Sequence, residues 1–205
     1  PSAAQAVRLL NTFPISVTPQ QSLTESLDWL PPGTTYTLTV PADVDPEVGD
    51  GWSLTASVVI TSGTPDLSPN DNLAETSGTA HTRTDLWVKT YVLPTSHPNY
   101  KTLYVIFGNY GPSHAHEVWV HNTLPSGVTA TEPTSRHFDI VKNIDYGWFM
   151  PIMVENGAAS GVTLTNQALI YSLDLDPFTE NNLSVATFAT PYRAFMPLVL
   201  NGPPD

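Results

Sequence analysis

Wherever the order of apolar and polar residues along the chain is regular, its period is two. Leu54, Ala56, Val58 and Ile60 stand two apart, and Val162, Leu164, Ala168 and Ile170 repeat the pattern with one break. This is the pattern of a strand with one wet and one buried face. No stretch sustains the 3.6-residue apolar period of a helix. Short runs rich in Val, Thr, Tyr, Leu and Ile cover residues 34–40, 52–61, 73–79, 85–92, 101–109, 147–154, 161–171 and 183–190. Branched and aromatic side chains suit a pleated, half-buried surface, so these runs predict strands. The 20 prolines and 12 glycines leave little room for long helices. The prediction is an all-β chain of two tandem immunoglobulin-like β-sandwich domains.

Two copies of one pattern organise the chain. Val7-Arg8-Leu9-Leu10-Asn11-Thr12-Phe13-Pro14 matches Val118-Trp119-Val120-His121-Asn122-Thr123-Leu124-Pro125, 111 positions on. Downstream, Asp66-Leu67-Ser68-Pro69 through Asn72 resembles Asp174-Leu175-Asp176-Pro177 through Asn182 if small insertions are allowed. In the second copy, two good strands and the turn Asn109-Tyr110-Gly111-Pro112-Ser113 precede the Asn-Thr-Leu-Pro motif. Nothing comparable precedes Val7. The reading is an incomplete domain over residues 1–80, a complete sandwich of about seven strands over 81–190, and an apolar tail over 191–205. Gly111 and Gly127 are expected to supply turn conformations closed to residues with a Cβ. Pro14 and Pro125 should end a strand by removing a ladder donor.

Asn109 to Ser113, Asn122-Thr123-Leu124-Pro125-Ser126-Gly127-Val128 and Asp176 to Asn182 resemble the conserved-repeat domain of bacterial surface proteins. The likeness covers residues 85–190 in full and 6–80 in part. In the first copy Ile15-Ser16 replaces the usual Ser-Gly, and Asn11 and Asn122 replace an aspartate. The resemblance implies an immunoglobulin-like fold and a spacer, stalk or assembly role on a cell surface.

Charge narrows the function classes. There are 7 basic and 19 acidic residues, a net charge of −12. Nucleic-acid binding needs Lys and Arg to displace phosphate counterions, so nucleic acid is not an expected partner. Membrane insertion is not expected either, because no apolar run is long enough to span. Cysteine is absent, which removes disulfides and thiolate metal sites and fits export. The small, polar start Pro1-Ser2-Ala3-Ala4-Gln5-Ala6 reads as a processed mature end or as a fragment boundary.

Candidate chemistry is sparse. No nucleophile elbow, phosphate loop or dinucleotide fingerprint occurs, and the acids sit in turns, so no enzyme activity, no catalytic residue and no cofactor are expected. His114, His116 and His121 could approach a metal from one strand. The loop Asp43-Val44-Asp45-Pro46-Glu47-Val48-Gly49-Asp50 and the pair Asp174 and Asp176 gather hard oxygens, and calcium is the ion they would take. A solvated turn is the plainer reading of both. Lys89 and Asn182 are a candidate pair for a Lys–Asn isopeptide bond. Trp87, Trp119, Trp148 and Tyr104 could form a sugar-stacking platform, although a sandwich ordinarily buries its tryptophans.

The tail carries Phe195, Met196, Leu198, Val199 and Leu200 in one apolar segment, with Pro197 restricting it to an edge or donor-free position. An incomplete domain at one end and a spare apolar strand at the other predict strand complementation: the tail of one subunit docks on the first domain of the next. Such a head-to-tail contact propagates as a homopolymer. The expected function is an extracellular structural subunit of a cell-surface filament or surface layer. An adhesin or carbohydrate-binding stalk module is the alternative, and an accessory domain of a larger enzyme is a third reading.

Overall fold

The computed structural model describes residues 2–155 and 160–191. Among these the regular structure is strand, apart from two single-turn 3-10 helices at Pro69–Asp71 and Thr179–Asn181. All strand pairs are antiparallel. The chain divides into two compact units between Arg83 and Thr84. On one side of the division the Ala80 N–H donates to the Trp52 carbonyl and the Thr82 N–H to Asp50 Oδ1, both inside the first unit. On the other, the Thr84 N–H donates to the Leu175 carbonyl, inside the second.

The second unit is a two-layer sandwich of eight strands. They are β7 (Leu86–Pro94), β8 (Tyr100–Asn109), β9 (Ala115–Thr123), β10 (Val128–Ala130), β11 (Ser135–Val141), β12 (Tyr146–Val154), β13 (Thr163–Tyr171) and β14 (Leu183–Ala189). One sheet has the order β10-β12-β8-β7 and the other β11-β9-β13-β14. The count exceeds the expected seven because β10 is only three residues long, too short for an alternation to register. Each long strand turns alternate residues inward: Leu86, Val88 and Thr90; Leu103, Val105 and Phe107; Val118, Val120 and Asn122; Trp148, Met150, Ile152 and Val154; Asn166, Ala168 and Ile170. The apolar side chains among these make one contiguous core. Burying each large apolar one stabilises the unit by roughly 1.5–3 kcal/mol before ordering costs. The turn after β8 is tied by Asn109, whose Oδ1 accepts the Asp85 and Gly111 N–H groups and whose Nδ2 donates to the Ser113 carbonyl. Gly127 has φ +78°, the left-handed conformation expected of it. Gly111 does not have a positive φ; it is buried, held by Asn109 and by the Asn143 side chain on its carbonyl.

The first unit contains β1 (Ala4–Thr12), β2 (Val17–Pro19), β3 (Thr24–Leu30), β4 (Ala42–Val44), β5 (Ser53–Thr61) and β6 (Leu73–Thr79). Its main sheet has the order β3-β1-β5-β6, and β2 and β4 pair as a separate ribbon. Strand for strand this is the arrangement of β9 to β14. Asn11 pairs with Val58 and Leu9 with Ile60, as Asn122 pairs with Ala168 and Val120 with Ile170. Even the backbone kinks coincide, at Ala6 (φ 51°) and Glu117 (φ 49°). Because the side chains at the kink differ, it belongs to the shared strand geometry and not to a particular site. Among its described residues the first unit has no strands equivalent to β7 and β8.

That absence explains one departure from the sequence reading. Residues 34–40 alternate as a strand should, yet they form none; only Ala42–Val44 is extended in a ladder. Val44 pairs with Val17 as Val154 pairs with Val128, so residues 36–43 correspond to 146–153. In the second unit Tyr146–Met153 is paired along its length with β8. Without that neighbour, the propensity of residues 36–41 has no ladder to join. The first residues cannot fill the gap either, since Ala4 and Gln5 already pair with Leu30 and Trp29.

Candidate functional site

The main sheet of the first unit carries a core face without a core. Register equates Ala56, Val58 and Ile60 with Asn166, Ala168 and Ile170, and Ala74 with Ser184. In the second unit Asn166, Ala168, Ile170 and Val120 are fully buried and Asn122 nearly so. Their counterparts Ala56, Val58, Ile60, Leu9 and Asn11 are only half-buried, and Ala74 is exposed. Val7 is the one buried apolar side chain among the described residues of the unit. Two grooves run along this face. One is lined by Ala4, Val7, Leu30, Ile60, Asp66 and Asn72. The other is lined by Asn11, Phe13, Ala56, Val58, Ala74 and Thr76.

The second unit shows what those positions do when covered. There β7 crosses the β13–β14 side of the facing sheet. The Leu86 N–H donates to Asp176 Oδ2 (2.9 Å), and the Thr90 N–H donates to Ser184 Oγ (3.0 Å). Asn166 Nδ2 reaches Thr90 Oγ1 (3.4 Å) and Asn122 Oδ1 (3.2 Å). Asp176 also accepts from Asn182 Nδ2 on Oδ2 and from the Phe178 N–H on Oδ1, both at 2.9 Å. In the first unit Asp66 Oδ1 accepts the Ser68 N–H at 2.9 Å, the same corner. Asp66 therefore corresponds to Asp176, 110 positions on and without a gap. The looser sequence match of Asp66 with Asp174 was two residues out of register.

The other sequence candidates are held apart. His116 lies against Asp174 (Nδ1 to Oδ2, 3.2 Å) and His121 against Ser135 Oγ, so they do not converge. Glu117, His137 and Asp139, all exposed, do come within 4.8 Å of one another. His137 Nε2 is 2.8 Å from Glu117 Oε2, and its ring packs on Trp119. That trio joins neighbouring strands β9 and β11, and only the register reveals it. In the acidic loop, Asp43 accepts from Gln20 Nε2, Asp45 from the Glu47 N–H and Asp50 from the Thr82 N–H. Asp45 closes a turn, and Asp43 and Asp50 tie segments distant in sequence. The calcium expectation also named Asp174 and Asp176, whose oxygens serve protein donors as described. Lys89 reaches over the Trp87 ring (5.7 Å), whereas Asn182 points to Asp176, so the isopeptide pair is not assembled.

The four aromatics proposed as a platform are likewise dispersed. Trp148 is in the core, and Trp87 is buried and stacked on Tyr110 at 5.2 Å. Gly108 makes room for that indole: a Cβ there would meet Trp87 Nε1 at 2.9 Å. Tyr104 instead stacks between Phe149 (4.4 Å) and Tyr91 (6.4 Å), three rings in cross-strand register on β12, β8 and β7. Tyr91 and Phe149 were not singled out in the sequence, because alternation places them outward but cannot align them across strands. The tail residues Phe195, Met196, Leu198, Val199 and Leu200 lie outside the described residues.

No family model and no curated protein matches the chain. Among solved structures it is similar to the crystal structure of BslA, a bacterial hydrophobin, with 12% identity and a TM-score of 0.32, over 54% of this chain and 97% of that one.

Proposed function

We propose that the chain is an extracellular structural protein, a subunit of a cell-surface filament or surface layer that assembles head to tail by β-strand complementation. The observation that carries this reading is the open face of the first unit. Leu9, Asn11, Ala56, Val58 and Ile60 on it have counterparts that are buried beneath strands in the second unit. An uncovered apolar sheet face and an unpaired strand-prone segment are liabilities in water, and added strands relieve both. The donor in this reading is the tail of a neighbour, with Phe195, Met196, Leu198, Val199 and Leu200 as the docking residues. Charge supports the choice: residues 1–83 hold nine acidic groups against Arg8 and Arg83, and the tail segment brings Arg193. The resemblance to the conserved-repeat domain of surface proteins agrees with a cell-surface location.

Deleting residues 191–205 tests the reading. The truncated chain is expected to keep a folded second unit by circular dichroism while losing its polymers in electron micrographs and sedimentation. Assembly equal to that of the full chain would exclude the tail as donor. The adhesin alternative draws on the strip Tyr91, Tyr104 and Phe149, whose two outer rings are about half exposed. For it, a glycan array should give saturable binding that falls at least tenfold in Phe149→Ala, the order expected when one stacking ring is lost.

A further inference from the structure

We propose that the open face of the first unit is a binding site for a two-stranded antiparallel β-hairpin, and that one strand alone does not complete it. This rests on the strand-accepting reading above and specifies what is accepted: a hairpin of the β7–β8 kind, of which a neighbour's tail can supply at most one strand.

The face has two lanes. The inner lane borders residues 36–43, whose counterparts Tyr146–Met153 pair with β8 from Tyr146↔Phe107 to Met153↔Tyr100. Tyr36, Leu38 and Val40 keep the alternation of that ladder. The outer lane lies over β5 and β6, where β7 sits in the second unit and where the groove lined by Asn11, Ala56, Val58, Ala74 and Thr76 runs. Among the described residues of that unit β7 pairs only with β8, at the edge of its sheet. A single strand in the outer lane would fill that groove with no ladder partner for its backbone. A single strand in the inner lane would pair with residues 36–43 and leave that groove empty. Buried backbone groups are almost always paired, so only two strands satisfy both demands.

The site also selects its occupant. At its head stands Asp66, in the place where Asp176 takes the first N–H of β7. Among the described residues, only the Ser68 N–H donates to the Asp66 carboxylate. In its middle, Ala56 and Ala74 replace Asn166 and Ser184, the two side chains that bond Thr90. The third inward residue of the outer strand therefore meets methyl groups where β7 meets polar ones. The preferred hairpin carries an apolar residue there.

The test titrates the full chain, at a concentration where it sediments as a monomer, with a labelled synthetic peptide of residues 84–112. Saturable one-to-one binding is expected, with new hydrogen-exchange protection at residues 36–43 and along β5. A peptide carrying Thr90→Val should bind about tenfold tighter, because an isosteric methyl replaces a hydroxyl that has no partner in this site. Asp66→Ala in the chain should weaken binding about tenfold, the loss of one charge-assisted hydrogen bond. Ala74→Trp should abolish it by filling the groove. Both positions are exposed, so the variants fold, and circular dichroism verifies this. A tail peptide of residues 191–205 is the comparison. If it alone protects both lanes, one strand suffices: the proposal falls while the complementation reading stands. If neither peptide binds, both fall. Hairpin binding indifferent to Ala74→Trp would overturn the assignment of the site.

Discussion

Ile170→Ala lowers the stability of the second unit by about 3–4 kcal/mol, and Ile60→Ala lowers that of the first by no more than about 1 kcal/mol. The two residues are equivalent in register, each on the third strand of its sheet and paired with the second. Ile170 is fully buried under the facing sheet. Its truncation loses the transfer free energy of three carbons and leaves a cavity whose walls are fixed by Val118, Val120 and the core of the opposite layer. Ile60 lines an open groove. There water already reaches the side chain, so shortening it removes little buried area and makes no closed cavity. Denaturant titrations followed by tryptophan fluorescence and by hydrogen exchange resolve the two units, because midpoint shifts at constant slope report stability. Equal losses at the two positions would show that the face of the first unit is covered in solution by something other than its own strands. In the assembled state the same measurement should bring the Ile60→Ala cost toward the Ile170→Ala cost.

The second contrast concerns the corner carboxylates. Asp176→Ala is expected to destabilise the second unit by about 2–4 kcal/mol, whereas Asp66→Ala costs the first less than about 1 kcal/mol. Asp176 receives three donors, the Leu86 and Phe178 N–H groups and Asn182 Nδ2. Leu86 is fully buried, so its N–H would be stranded without an acceptor where water has no access. The bond also fastens the first residue of β7, and through it the closing strand of the sandwich. Asp66 holds only the N–H of Ser68 in an exposed turn, where water substitutes readily. Asp176→Asn keeps an acceptor oxygen but turns one oxygen into a donor, so it should fall between Asp176→Ala and the parent. A loss in Asp66→Ala as large as that in Asp176→Ala would mean that the carboxylates have equal structural roles, contrary to their bonding.

The all-β class and the relation between the two halves were legible in the chain because both depend on local pattern. Alternation with a period of two reports a half-buried strand whatever its partner, and Asn11-Thr12-Phe13-Pro14 against Asn122-Thr123-Leu124-Pro125 reports the repeat without geometry. Register could not be read. Alternation gives a strand its two faces but not its offset from a neighbour, so the ring stack of Tyr91, Tyr104 and Phe149 and the trio Glu117, His137 and Asp139 stayed hidden. The correct partner of Asp66 was obscured by a misplaced gap.

Residues 34–40 mark the boundary between the two kinds of information. Their side chains have the propensity and the alternation of a strand, yet a strand exists only where a neighbour supplies the other half of its hydrogen bonds. That neighbour is β8 in the second unit and is missing from the first. Composition determined what these residues can become, and tertiary structure decided that, in this unit, they have not become it. The open face follows from the same cause: the apolar pattern of β1 and β5 specifies burial, but only strands brought from elsewhere in a fold can deliver it.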